Sequence, residues 1–305
     1  MAETRLPIYG GQAVIEGVMM RGKQSMAIAM RAPDNEIVVH QEPLGRIYKS
    51  KLTKIPFLRG VVMLWDALGL GVRALSISAN TQTGEDEKIE GPALYGALII
   101  SMLFAIGLFF ILPAALGHLT EVLLTPGGAG TTAGQARSAW VGNLMEGVVR
   151  LLILIGYIWA IGWIPDIRRV FAYHGAEHKT INAFEAGAEL TPENVTRFSL
   201  EHPRCGTAFL LTLVILSILV FTLLGPLPLG LRLVSRIVLI PVIAGIAYEY
   251  IRWTASHMDS PLVRWMVKPN LALQRLTTRE PNLEMLEVSI AAFNAMRAAE
   301  QGIRL

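Results

Sequence analysis

Four stretches of the chain are nearly free of charge over the length of a membrane-crossing helix, and polar segments separate them. Leu94–Leu112 is uncharged for 19 residues and Gly206–Leu231 for 26, against the roughly 20 apolar residues a spanning helix needs. Gly147–Ile164 is interrupted by Arg150 alone, whereas Leu229–Ile251 carries Arg232, Arg236 and Glu249. Gly225, Pro226 and Pro228 mark the turn between the last two stretches. This pattern predicts four transmembrane helices.

Outside those stretches the periodicity changes. Ser25–Arg31 and Glu36–Glu42 alternate apolar with other residues on either side of Pro33-Asp34-Asn35, which predicts a β-hairpin. Pro56–Ala79 has the spacing of an amphipathic helix, with Arg59, Asp66 and Arg73 among Val, Leu and Trp. Such a helix either lies on the membrane surface or packs over the hairpin. Residues 80–91 read as an acidic linker, and Pro261–Leu276 and Asn282–Ala299 both have helical periodicity. The expected architecture is a mainly α, polytopic membrane protein. It has about four transmembrane helices and a cytosolic α+β portion containing an N-terminal β-hairpin. Residues 1–91 form the cytosolic N-terminal region, residues 92–251 the membrane region with a His-rich loop at 165–205, and residues 252–305 the C-terminal helices.

Composition agrees with burial in lipid. Of 305 residues, 52% are hydrophobic and 17% charged, where a soluble domain averages about 45–50% and about 25%. The mean hydropathy of +0.46 excludes a disordered chain, a coiled coil and a disulfide-stapled scaffold. Residues 1–91 hold 11 Lys and Arg, 165–205 hold 5 and 252–305 hold 7, so 23 of the 27 basic residues fall on one side. Positive charge stays inside, which predicts that both termini and the 165–205 loop lie in the cytoplasm. Met1–Tyr9 lacks an apolar run, and no cleavable signal peptide is expected. Cys205 is the single cysteine and leaves a free thiol, in keeping with the cytosolic side. A net charge of +3 does not indicate a nucleic-acid partner; the lipid bilayer is the expected one, with room for a soluble or membrane protein partner or a homo-oligomer.

The 165–205 loop carries the candidate chemistry. Pro165 suits the first turn of a helix and Gly187 its end. Between them Tyr173-His174-Gly175-Ala176-Glu177-His178-Lys179 contains an H-x-x-E-H pattern, in which two histidines four residues apart share a helix face and the glutamate serves as a base. Zinc, or another divalent transition metal, suits such a pair. Further donors come from His202 and Cys205, three residues apart and entering the N-terminus of a span, where the helix dipole favours a thiolate. If all four bind, the site is closed and structural; if three bind, water takes the fourth place and Glu177 becomes catalytic. Glu185 returns to the His174 face but sits roughly 10 Å of helical rise along from His178, and so reads as a supporting or structural carboxylate. Glu249, near the cytoplasmic end of the fourth stretch, is a partner for a histidine ring or Arg252. Arg232 and Arg236, near its outer end, are expected to reach the headgroups.

Gly10-Gly11-Gln12-Ala13-Val14-Ile15-Glu16-Gly17-Val18-Met19-Met20-Arg21-Gly22 brackets an apolar strand with glycines. Glu16 either completes the metal site or pairs with an arginine beside a tight bend, the plainer reading, and Arg21 is a candidate anion holder. This segment, then FAYHGAEHKTINAFE, HPRCGTAF and LEVSIAAF, in that order along nearly the whole chain, resembles the YqhQ-like family of bacterial multi-pass membrane proteins. The family has no established substrate, and its members are described as metal-dependent enzymes. The resemblance implies a multi-pass bacterial membrane protein with metal at the same histidines.

Three functions fit this reading. The first is a zinc-dependent hydrolase acting at the cytoplasmic face of the membrane. The second is a non-catalytic scaffold or assembly factor pinned by a structural metal. The third is a homo-oligomeric pore, disfavoured because the first and third stretches hold almost no polar groups.

Overall fold

The computed structural model describes residues 9–45, 51–83, 91–124, 132–225 and 227–302. Four antiparallel strands open the chain: β1 (Gly10–Val14), β2 (Gly17–Arg21), β3 (Ser25–Arg31) and β4 (Ile37–Pro43), paired in sequence order. The expected hairpin is β3–β4, with Arg31 opposite Ile37. Residues 10–22, expected as one strand, form a second hairpin instead. Val14 pairs with Gly17, and Glu16 adopts a φ of 51° in the connecting turn. Gly17 also lets β2 lie close against β3, because a Cβ there would lie 2.3 Å from the carbonyl oxygen of Ala29.

A short 3-10 turn (Lys51–Lys54) leads into helix α1 (Leu58–Thr83). The helix takes in the first four residues of the expected linker, whose residues 84–90 lie outside the described ones. Strands β2 and β3 are buried on both faces. Met19, Met26, Ile28 and Met30 pack under Leu70, Ala74 and Ile77 of α1. On the other face Val18, Met20, Ala27 and Ala29 pack against two helices that arrive later in the chain, α5 (Pro165–Glu185) and α11 (Leu283–Glu300).

The first two apolar helices are longer than the charge-free stretches. Helix α2 (Pro92–Ile106) continues through a π-helical turn (Gly107–Ile111) into α3 (Leu112–Leu124), so that Leu94–Leu124 is one candidate span. Helix α4 (Thr132–Ile161) gives a second, Arg137–Ile161. Among the described residues three helices, these two and α7 (Gly206–Leu223), are long and apolar enough to cross a membrane.

Charges that appeared to limit the spans are neutralised by one another. Glu146 accepts Nε (2.8 Å) and Nη2 (2.8 Å) of Arg236 and Nη2 (2.8 Å) of Arg150. Arg150 Nε donates to the Phe109 carbonyl in the π-helical turn at 2.9 Å, a place where the helical hydrogen-bond ladder is interrupted. Arg232 pairs with Glu121. Arg232 and Arg236 are thus fully buried rather than reaching headgroups, since each is paired with a carboxylate inside the fold.

Helix α5 (Pro165–Glu185) ends with Gly187 at a φ of 71°, and a short α6 (Pro192–Val195) follows. Helix α7 (Gly206–Leu223) ends just before Gly225, the first of the residues expected to close that span, where φ is 70°. The fourth stretch is not one straight helix. α8 (Leu229–Val238) and α9 (Ile240–Ala255) meet at a 41° bend, where Pro241 in the first turn of α9 has no N–H to continue the ladder. Counted as one span, the pair makes four. Helices α10 (Pro261–Thr277) and α11 (Leu283–Glu300) close the chain; α11 lies on the sheet, and α10 packs against α7.

Candidate metal centre

The middle of α5 is buried on nearly every side, an unusual setting for a segment that reads Tyr-His-Gly-Ala-Glu-His-Lys. Gly175 explains part of it: a Cβ there would come within 2.2 Å of the Arg279 carbonyl, so the connection from α10 to α11 crosses the helix in direct contact. This crossing brings the end of α10 to the first histidine. His174 Nδ1 bonds the Thr277 carbonyl at 2.9 Å, and His178 Nδ1 bonds the Leu200 carbonyl at 2.6 Å. A carbonyl only accepts, so each Nδ1 carries the proton in the neutral ring and each Nε2 presents its lone pair.

Cys205 caps the N-terminus of α7, its Sγ accepting the Thr207 N–H at 3.4 Å. The same sulfur stands 3.2 Å from His174 Nε2. Donor atoms of His174, His178 and Cys205 all lie within 4.8 Å of one another. Burial by itself would raise the Cys205 pKa, but the two imidazoles hold the thiol well below its ordinary value. Burial likewise opposes protonation of His174, yet the sulfur beside it holds its pKa up to about 9. His178 is pushed the same way, against its burial, by Cys205. The cluster therefore stabilises positive charge next to the sulfur.

Glu177 lies between the two histidines in sequence and is buried, with Oε2 unpartnered. The backbone N–H of Gly11 in β1 is directed at its carboxyl group, while burial pushes its pKa up. A side chain at Gly11 would have its Cβ 3.0 Å from Glu177 Cδ and 2.5 Å from the Met19 carbonyl. The glycine-rich strand is thus the wall of the site, a role its sequence did not announce.

The remaining sequence candidates stand around this group rather than in it. His202 is clamped by its backbone, donating to Gln274 Oε1 and accepting from Gln274 Nε2 at 2.9 Å each. Its ring centre lies 5.7 Å from that of His178, and its Nε2 is buried without a hydrogen-bond partner. Burial lowers the pKa of this ring, with Glu185 opposing. Glu185 itself pairs with Arg204, and Nε2 of His202 is 3.7 Å away. Glu16 is held by Arg169 at 2.5 and 2.6 Å and by the Tyr173 hydroxyl at 3.2 Å. Arg21 ends β2, half-buried and opposite Gly10. Glu249 pairs chiefly with Arg59 and accepts the Phe57 N–H, with Arg252 within weaker electrostatic reach.

The donor set fits a divalent transition metal. Two neutral imidazoles and a thiolate are soft-to-borderline ligands of the kind zinc takes, His178 Nε2 is buried with no other partner, and each ring is oriented from behind by a carbonyl. Sequence reasoning found the histidines and the cysteine from their spacing. It missed Gly11 and the Thr277 and Leu200 carbonyls, because a main-chain oxygen carries no residue signature.

Helices apolar enough to cross a membrane, a small sheet between helical layers and a buried His-His-Cys group beside a glutamate define the class of protein. Residues 55–299 match the family described as "Protein of unknown function (DUF1385)", and the chain belongs to that family. It is 37% identical over 311 residues to the "Uncharacterized protein YqhQ" of Bacillus subtilis (strain 168), covering 96% of this chain and 93% of that one. No solved structure matches.

Proposed function

We propose that the chain is a zinc-dependent hydrolase of the bacterial plasma membrane, acting at the cytoplasmic face, with His174, His178 and Cys205 as ligands. The observation that carries this reading is the convergence of three donors beside a buried glutamate with an unpartnered oxygen. When bound, a zinc ion with three protein ligands lowers the pKa of water to about 7 and polarises an acyl or phosphoryl oxygen. Glu177 is the proton carrier: its carboxyl is buried beside both histidines with Oε2 free of hydrogen bonds, and the Gly11 N–H orients it. Thr277 and Leu200 hold the imidazoles in the tautomer that leaves Nε2 free. The excess of Lys and Arg in 1–91, 165–205 and 252–305 supports a cytoplasmic location for both termini and for the site.

The test is metal content and hydrolysis together. Detergent-purified wild-type protein is expected to carry about one zinc per chain, and His174→Ala none. Glu177→Gln keeps the metal and loses the hydrolysis that wild type shows toward a panel of lipid-linked, peptide and headgroup esters. Protein purified without chelators and free of metal overturns the proposal.

A second reading is favoured by one observation, the buried Nε2 of His202, which makes no hydrogen bond and only a 3.7 Å approach to Glu185, on a ring near that of His178. A turn of that ring adds a fourth donor, closes the site and leaves a structural metal in a membrane scaffold. Cobalt substitution separates the two. A spectrum insensitive to His202→Ala together with exchangeable water supports the enzyme, and one lost in that variant supports the scaffold.

A further inference from the structure

Helix α1 is apolar on two opposite faces. Leu70, Ala74 and Ile77 lie against the sheet. At 100° per residue, Trp65, Leu68, Val72 and Leu75 lie about half a turn away, and all four are exposed, Trp65 at 73% and Leu68 at 61%. A helix packed on a sheet in water turns its charged face outward. Here, among the described residues, nothing covers the outer stripe.

The start of α1 indicates what covers it. Gly60 meets α9 with no room for a side chain on either helix: its Cβ would be 2.9 Å from Gly245 Cα, and that of Gly245 would be 2.8 Å from the Phe57 carbonyl. Gly245 is ten residues, or about 15 Å of helical rise, from the end of α9 at Ala255. The first turns of α1 therefore lie alongside a helix of the apolar region rather than beyond its end. Arg59 crosses to Glu249 at the same level. The chain leading to α1 also contains Arg46, Lys49, Lys51 and Lys54 within nine residues, a basic run suited to anionic headgroups.

We infer that α1 is an interfacial helix sandwiched between the sheet and the bilayer. Its Trp65–Leu75 stripe is buried among acyl chains, so that the sheet domain rides on the membrane through it. This rests on insertion of the candidate spans but not on metal binding. The occupant is lipid rather than a second copy of the chain, because α1 begins packed alongside α9, a helix of the apolar region, and a basic run precedes it.

Full-length protein in vesicles of phosphatidylethanolamine and phosphatidylglycerol tests this, with a photoreactive benzophenone side chain placed singly at Leu68, Val72 or, as the sheet-facing control, Leu70. Lipid adducts at Leu68 and Val72 and none at Leu70 are expected. Cross-linked dimers, or no lipid adducts in protein that floats with the vesicles, overturn the inference and leave the membrane reading intact; failure to float overturns both. Trp65 gives an independent readout that needs no bulky replacement. The emission lost on Trp65→Phe is expected to be quenched in vesicles of brominated lipid, and quenching by aqueous iodide instead overturns the inference.

Discussion

His174 Nε2 stands 3.2 Å from Cys205 Sγ, joining the middle of α5 to the first turn of α7 across 31 positions of sequence. Removing either end of that contact takes one of three converging donors, whereas His202 stands outside the group. Cys205→Ala is therefore expected to lose bound metal on dialysis, and His202→Ala to retain about one ion per chain. Elemental analysis of the two variants side by side checks this, and the reverse order would reassign the ligands.

Gly11 separates a packing requirement from general tolerance in a glycine pair. A methyl group at Gly11 collides with the Met19 carbonyl and Glu177, while one at Gly10 meets nothing within 4 Å. Gly11→Ala is expected to lower stability by about 1–3 kcal/mol, the usual cost of overpacking, and Gly10→Ala to leave it nearly unchanged. Thermal unfolding in detergent reads the difference; equal midpoints would show that β1 is free to withdraw from α5.

Glu146 is the shared partner of two buried arginines. Glu146→Leu strands both cations, whereas Arg150→Met leaves the carboxylate matched to Arg236, whose guanidinium also lies 4.2 Å from the Phe221 ring centre. The first substitution is expected to cost about 3–5 kcal/mol or prevent folding, as for other broken buried pairs, and the second distinctly less. Expression level and unfolding midpoint together rank them.

Glu16 links the first hairpin to α5 through Arg169, whose hydrogen bonds, opposed by burial, hold its carboxyl below the usual carboxylate range. A depressed folded pKa contributes stability above the ordinary value of about 4.3 and loses it as pH falls through the folded pKa. Both side chains are partly exposed, which keeps the contribution near or below about 1 kcal/mol. Wild type is expected to unfold at higher temperature than Glu16→Gln at neutral pH, with the gap closing at acidic pH. A gap that widens under acid would reverse the sign and remove the ion pair from the account.

Much of the candidate centre was legible because it is local. Pro165 and Gly187 bracket α5, and the four-residue spacing of His174 and His178 places them on one face whatever surrounds them. Cys205 could be read as a helix cap from the apolar run that follows it. Glu16 shows the opposite case, since whether it meets a metal or an arginine depends on where a two-residue turn carries it.

Local periodicity and charge-free length, properties of consecutive residues, were enough to determine the apolar helices, the β3–β4 hairpin, the ends of α5 and the His-x-x-Glu-His face. Only the tertiary structure decided that Glu121 and Glu146 would neutralise Arg150, Arg232 and Arg236, and that Gly11 would wall in Glu177. These depend on pairs separated by tens to hundreds of positions, where the cost of a buried charge or the room for a Cβ is set by what folding brings alongside it.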